Sequence, residues 1–176
     1  MDRHTDAERA TARPGSYFSP PTSGAETYVH AQYAQAVHQA LIVVRAEPVE
    51  WHTYDHADGT LGIAYLYRPY DPEPMADGRI PLTVNPDAWH GHGCELRWTE
   101  GGGWSWTPLD EHFDPLWTVT EPLPLPELAD PDDVAATALL LLAGDDDGFT
   151  TGTRQWEHAG FQAKALTERH RQETRP

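Results

Sequence analysis

The sequence predicts an α+β fold: an antiparallel meander sheet of about five or six strands, with an N-terminal helix and one or two C-terminal helices packed on one face. Three stretches carry that prediction. Cys94 to Thr107 alternates apolar and polar residues around a run of glycines, as a hairpin with one core face does. Asp130 to Gly144 is an almost wholly apolar run between a helix N-cap and a helix stop. Val29, Tyr33, Val37, Ala40, Leu41 and Val44 recur at steps of three and four, which places them on one side of a helix.

A chain of 176 residues is most simply one domain with tails. The domain is expected over 23–144, after a flexible polar leader at 1–22 that Pro14, Gly15, Pro20 and Pro21 break up, and before an acidic linker and helical extension at 145–176. A hydrophobic content of 39% with seven tryptophans is enough to fill one core, although the formal charge of -16 opposes compaction.

Ser23 to Glu26 has the capping-box spacing, and the helix it opens runs to about Val44 and packs on a sheet. Val49 to Arg68 reads as a hairpin turning at Asp58-Gly59. A two-residue turn would set Trp51 opposite Leu66 and divide the apolar residues between faces. A three-residue loop, Ala57 to Gly59, gathers Val49, Trp51, Leu61, Ile63, Tyr65 and Tyr67 on one face and leaves Glu50, His52 and Tyr54 on a wetter one. The proline-rich stretch that follows is a loop, and Arg79 to Val84 is expected to be a short edge strand because Pro81 lacks a ladder donor.

In the next hairpin a loop at Gly101 to Gly103 would set Trp98 opposite Trp106. Leu96, Trp98, Trp104 and Trp106 then face the core, while Glu95, Arg97, Thr99, Ser105 and Thr107 face water. Trp117 to Glu121 alternates again and is expected to be a last strand. Asp130 caps the helix, Pro131 takes its first position, Asp132 and Asp133 suit the positive end of its dipole, and Gly144 stops it. Only Thr137 interrupts its apolar body, so it needs cover on more than one side. A final helix is expected from Thr153 to about Arg171, with Trp156, Ala159, Gly160, Ala163 and Leu166 as its stripe.

The order of elements, with Leu96-x-Trp98-x-Glu100-x-x-Gly103-Trp104, the Leu-Pro-x-Pro bridge and a helix ending Leu-Leu-Ala-Gly, resembles a family of small actinobacterial domains of unknown function. The matching parts are Tyr28 to Leu41, Leu96 to Trp104 and Leu125 to Gly144, so the resemblance spans about residues 24–144. It departs in the histidine-rich loop before Cys94 and in the C-terminal extension. The resemblance implies an α+β fold and no known activity.

Candidate chemistry is sparse. In an extended backbone His90, His92 and Cys94 would project to one side, as ligands for zinc or another transition metal, with His112, His52 or Glu95 to complete the set. Against this stand two flexible glycines and the place of Cys94 on the core side of a strand. Asp145 to Asp147 lack the spacing of a calcium loop, and the glycine runs lack that of a phosphate loop. Glu100, Asp110 and Glu111 would serve as an acid-base pair only if folding joined them. Trp98, Trp104 and Trp106 could stack a sugar or base, but core packing is the ordinary use of aromatics on one strand face.

With 28 acidic against 12 basic residues, neither nucleic acid nor an anionic membrane surface is an expected partner. The single cysteine suits a reducing compartment, the N-terminus has no signal-peptide core, and the run Val134 to Ala143 is about half a membrane span. The sequence therefore reads as a cytoplasmic, non-enzymatic module that binds another protein or itself. Its interaction face is expected on the over-apolar helix and tail, at Val134, Ala138, Leu141, Leu142 and Trp156. The alternatives are a metal-dependent protein using His90, His92 and Cys94, and an acidic nucleic-acid mimic or toxin-neutralising partner.

Overall fold

The structure, a computed structural model, describes residues 30–55, 60–69, 74, 78–145, 147–149 and 151–173. The leader, the Ser23 to Glu26 capping box and the loop Ala57 to Gly59 lie outside them. The architecture is α+β. Helix α1 (Ala31–Val43) precedes strands β1 (Glu50–Asp55), β2 (Leu61–Tyr67), β3 (Cys94–Thr99), β4 (Gly103–Pro108) and β5 (Glu121–Pro122), and helices α2 (Pro131–Ala143) and α3 (Ala159–Glu173) follow. The strands form one five-stranded sheet in the order β1-β2-β3-β4-β5, antiparallel throughout.

Register decides which residues meet. Trp51 lies opposite Tyr65 and Asp55 opposite Leu61, the pairing that the three-residue turn predicts for the first hairpin. The second hairpin differs from expectation: Trp98 faces Trp104, and Leu96 faces Trp106. The turn is Glu100 to Gly102, with Thr99 paired to Gly103. Gly101 and Gly103 both take positive φ, and Glu127 accepts the Gly101 N–H at 2.7 Å. A shift of two residues keeps every side chain on its expected face.

One expected strand is irregular and another is reduced to its last residue. Arg79 to Val84 is irregular, because the acceptors within its reach are helix ends: the Leu82 N–H donates to Arg45 C=O at 2.7 Å and the Asn85 N–H to Leu142 C=O at 2.8 Å. Trp117 to Val119 is a 3-10 turn, and only Glu121 and Pro122 pair with β4. The last helix starts at Ala159 rather than Thr153, since 154–156 instead lies against the entry to α2, where the Asp130 N–H donates to Arg154 C=O and the Trp156 N–H to Leu128 C=O.

The core lies between the helices and one sheet face. Tyr33 of α1 sits among the rings of Trp98, Trp104 and Trp156, with centroids at 5.9, 6.1 and 5.1 Å. Its hydroxyl donates to Ala129 C=O and accepts from Trp104 Nε1, so this large ring is buried with its polar atom satisfied. Tyr65 and Tyr67 donate in the same way to Ala34 C=O and Ala46 C=O.

Helix α2 packs along α1 and buries Val134, Ala135, Ala138, Leu141 and Leu142. Its second cover is the segment from Val84 to Trp89. Trp89 Nε1 donates to Leu141 C=O at 2.8 Å and Asn85 Nδ2 to Ala143 C=O at 3.1 Å, which also satisfies carbonyls that a helix end leaves open. Trp156, Ala159 and Leu166 join the same core, while Arg169 reaches Asp55 and Glu100 at the turn end of the sheet.

Candidate functional site

Strand alternation puts His52 and Tyr54 of β1, Gly62 and Ala64 of β2, Glu95 and Arg97 of β3, and Ser105 and Thr107 of β4 on the face turned away from Tyr33 and the helices. The stretch from Leu109 to Thr120 lies across part of that face. Thr120 Oγ1 meets Thr107 Oγ1 at 2.9 Å and accompanies a bond to Trp117 C=O, which fixes the 3-10 turn and lays the Trp117 ring over Arg97. This explains why the face is not simply wet: Thr107 is fully buried and Glu95 is only 7% exposed.

At the centre is a layered arrangement. Gly62 has no side chain, and the Tyr54 ring occupies the space where one would stand. The Arg97 guanidinium lies between two aromatic rings, 5.0 Å from the centroid of Tyr54 and 4.7 Å from that of Trp117. Its Nε donates to the Tyr54 hydroxyl. Such cation–π contacts contribute about 0.5–2 kcal/mol each and hold the guanidinium flat. Burial pushes the Tyr54 hydroxyl up, with Arg97 opposing.

Beside this stack lies a depression of about 210 Å³ lined by His52, Tyr54, Ala64, Glu95, Arg97 and Trp117. The Glu95 carboxyl is held above the usual carboxylate range, because burial disfavours its charged form more than Arg97 restores it. No hydrogen bond or ion pair from another described residue reaches that carboxylate. At the rim Trp117 is 52% exposed and Val119 47%, and Phe113 on the same segment is also exposed, with Arg68 over its ring.

The expected metal ligands do not converge. His90 takes a left-handed conformation on the surface, and Gly91 and Gly93 on either side of His92 also have positive φ, so the backbone is not the extended one that would align the three side chains. His92 is turned against Phe113, and Cys94 faces the core, fully buried, its thiol pushed up to about 12 by burial. Among the described residues no group of three or more His, Cys, Asp or Glu is placed to hold a metal ion. His112 lies at the surface beside Asp110 and Glu111, whereas His52 and Glu95 line the depression.

The residues expected to form an interaction face, Val134, Ala138, Leu141, Leu142 and Trp156, are core. On those sides the helix is covered by α1 and by Val84 to Trp89, while Ala136, Leu139, Leu140 and Ala143 on its other side are exposed or half-buried. Trp98 and Trp104 are sealed against Tyr33, and Trp106 packs on Trp89. Glu100 is engaged by His170 and Arg169, Asp110 accepts the N–H groups of His112 and Asp114 within its own loop, and Asp145 accepts that of Gly148. A second hollow, about 400 Å³ beneath α3, has its carboxylates occupied in this way: Glu100 faces His170 at 2.7 Å and Glu127 the Gly101 N–H.

Sequence reasoning missed Trp117 as a site residue because its segment alternates like a strand. The signal for the rest was present, since the preferred registers put His52 and Tyr54 on one face with Glu95 and Arg97. Among the described residues no helix is long and apolar enough to cross a membrane. The chain matches no family model, and comparison with curated proteins and with solved structures gives no significant match.

Proposed function

We propose that this chain is a non-enzymatic module that binds another protein, and that it binds through the sheet face bearing Tyr54, Arg97 and Trp117. The observation that carries this reading is the half-exposed Trp117 ring, 52% accessible and stacked on a guanidinium that is itself stacked on Tyr54. Tryptophan, tyrosine and arginine are the residue types that dominate binding energy at protein interfaces, and stacking pre-orders them so that less side-chain entropy is lost on association. The adjoining depression of about 210 Å³ is smaller than the ~300–1,000 Å³ of small-molecule sites. The only thiol is sealed in the core, and the charge of -16 opposes nucleic acid and disfavours a second copy of the chain as partner.

The test compares capture from native lysate by the tagged full chain and by its Trp117→Ala variant. Loss of a tryptophan at such a position should reduce capture of the bound protein about tenfold or more. The variant loses one cation–π contact, so its melting temperature should fall by at most about 8 °C and it should remain folded at the temperature of capture. Equal capture by both forms, or no protein retained by either, would overturn the reading.

A further inference from the structure

We propose that the depression beside Trp117 receives a basic side chain, an arginine or lysine of the protein partner, with Glu95 as its acceptor. The inference rests on the reading of this face as the binding surface.

Glu95 is 7% exposed and lines the depression, and no described residue gives its carboxylate a hydrogen bond or ion pair. The residue is buried but its carboxylate oxygens are not sealed, so the depression leaves an acceptor open to an incoming donor. Arg97 does not fill that role. Its guanidinium is held between Tyr54 and Trp117 and its Nε donates to the Tyr54 hydroxyl, so it acts on Glu95 as a nearby charge, one too weak to offset the effect of burial. Two residues apart on one strand, the two side chains share the face and both line the depression.

The lining includes the Arg97 guanidinium, a like charge engaged by Tyr54 and Trp117, and otherwise suits a long basic side chain. Ala64 and the rings of Tyr54 and Trp117 offer apolar surface to a methylene stem, with the carboxylate for its charged head. About 210 Å³ is room for one side chain rather than a whole ligand. Burial raises the Glu95 pKa, and a cation held against the carboxylate reverses that effect by favouring the ionised form. At longer range the formal charge of -16 draws basic partners towards the chain.

The test uses the full chain labelled with nitrogen-15 and two small probes, N-acetyl-arginine amide and N-acetyl-glutamate amide. The indole N–H resonance of Trp117, identified by its loss in Trp117→Phe, is the readout. The arginine probe should shift it saturably and the glutamate probe should not, while Glu95→Gln should weaken the arginine response about tenfold. An unmoved resonance, an equal or larger shift with the glutamate probe, or unchanged arginine binding in Glu95→Gln would overturn the proposal. The glutamate outcome would make Arg97 the recognition group. The probe comparison in the unsubstituted chain decides the matter even if Glu95→Gln does not fold. Loss of capture in Trp117→Ala with no arginine response would retain the binding face and reject the basic side chain.

Discussion

Gly62 illustrates how one residue shapes the candidate site. A Cβ at this position would enter the van der Waals shell of the Tyr54 ring, which is the inner layer of the Tyr54-Arg97-Trp117 stack. Gly62→Ala therefore forces the ring outward and breaks the hydrogen bond from Arg97 Nε. Overpacking of this kind costs about 1–3 kcal/mol, here moderated because a side chain rather than backbone must move. Urea unfolding should show that loss, and the Trp117 indole resonance should shift as its guanidinium partner is displaced. A variant as stable as the parent with Trp117 unchanged would mean that Tyr54 does not need this space.

Among the elements, α2 was the most legible in the sequence because its signals are local. Asp130 accepts the Asp132 N–H at 3.0 Å, Pro131 follows, and Gly144 takes the left-handed conformation at φ 77. Asp130→Ala should cost ~1 kcal/mol. For a chain of this size that lowers the melting temperature by about 2–4 °C. The ion pair with exposed Arg154 adds little to that loss, and an unchanged melting temperature would show the cap to be energetically idle. The hairpin faces were legible for a different reason: an error of two residues in the Trp98 register leaves the alternation intact. Arg79 to Val84 and Trp117 to Glu121 were misread because period-two alternation describes a segment, whereas a strand also needs a neighbour. Leu82 finds the Arg45 carbonyl just after α1 and Asn85 the Leu142 carbonyl of α2 instead, and Trp117 finds Arg97. The candidate site was half legible: His52, Tyr54, Glu95 and Arg97 followed from alternation, but the cover by Trp117 depends on tertiary contact, and the covering of α2 by Val84 to Trp89 likewise carried no local pattern.

For the molecule as a whole, buried titratable groups set a pH dependence that surface charge alone would not give. His30 is fully buried against Trp98 with Nε2 3.1 Å from Gly62 C=O, and His38 stacks on Trp51 at 4.8 Å. Desolvation lowers both pKa values below the ordinary histidine value of 6.5, the Gly62 carbonyl opposing it at His30. Below 6.5 the unfolded chain takes up protons at these positions that the folded chain refuses, so stability falls as pH drops from 6.5 towards the folded pKa values. Glu95 works in the opposite direction. Its raised pKa lets the fold hold a proton that the unfolded chain releases above the ordinary value of 4.5, so its contribution is complete below that value and is lost as pH rises through the folded pKa. The histidine and glutamate contributions therefore oppose one another wherever their windows overlap. His38→Phe keeps a ring against Trp51 and removes one titration. Measured by urea unfolding at about pH 7.5 and about pH 5.5, its stability should fall less on acidification than that of the parent chain, by at most ~1.4 kcal/mol per pH unit. Equal falls in the two proteins would mean that His38 gains its proton as readily in the fold as in the unfolded chain.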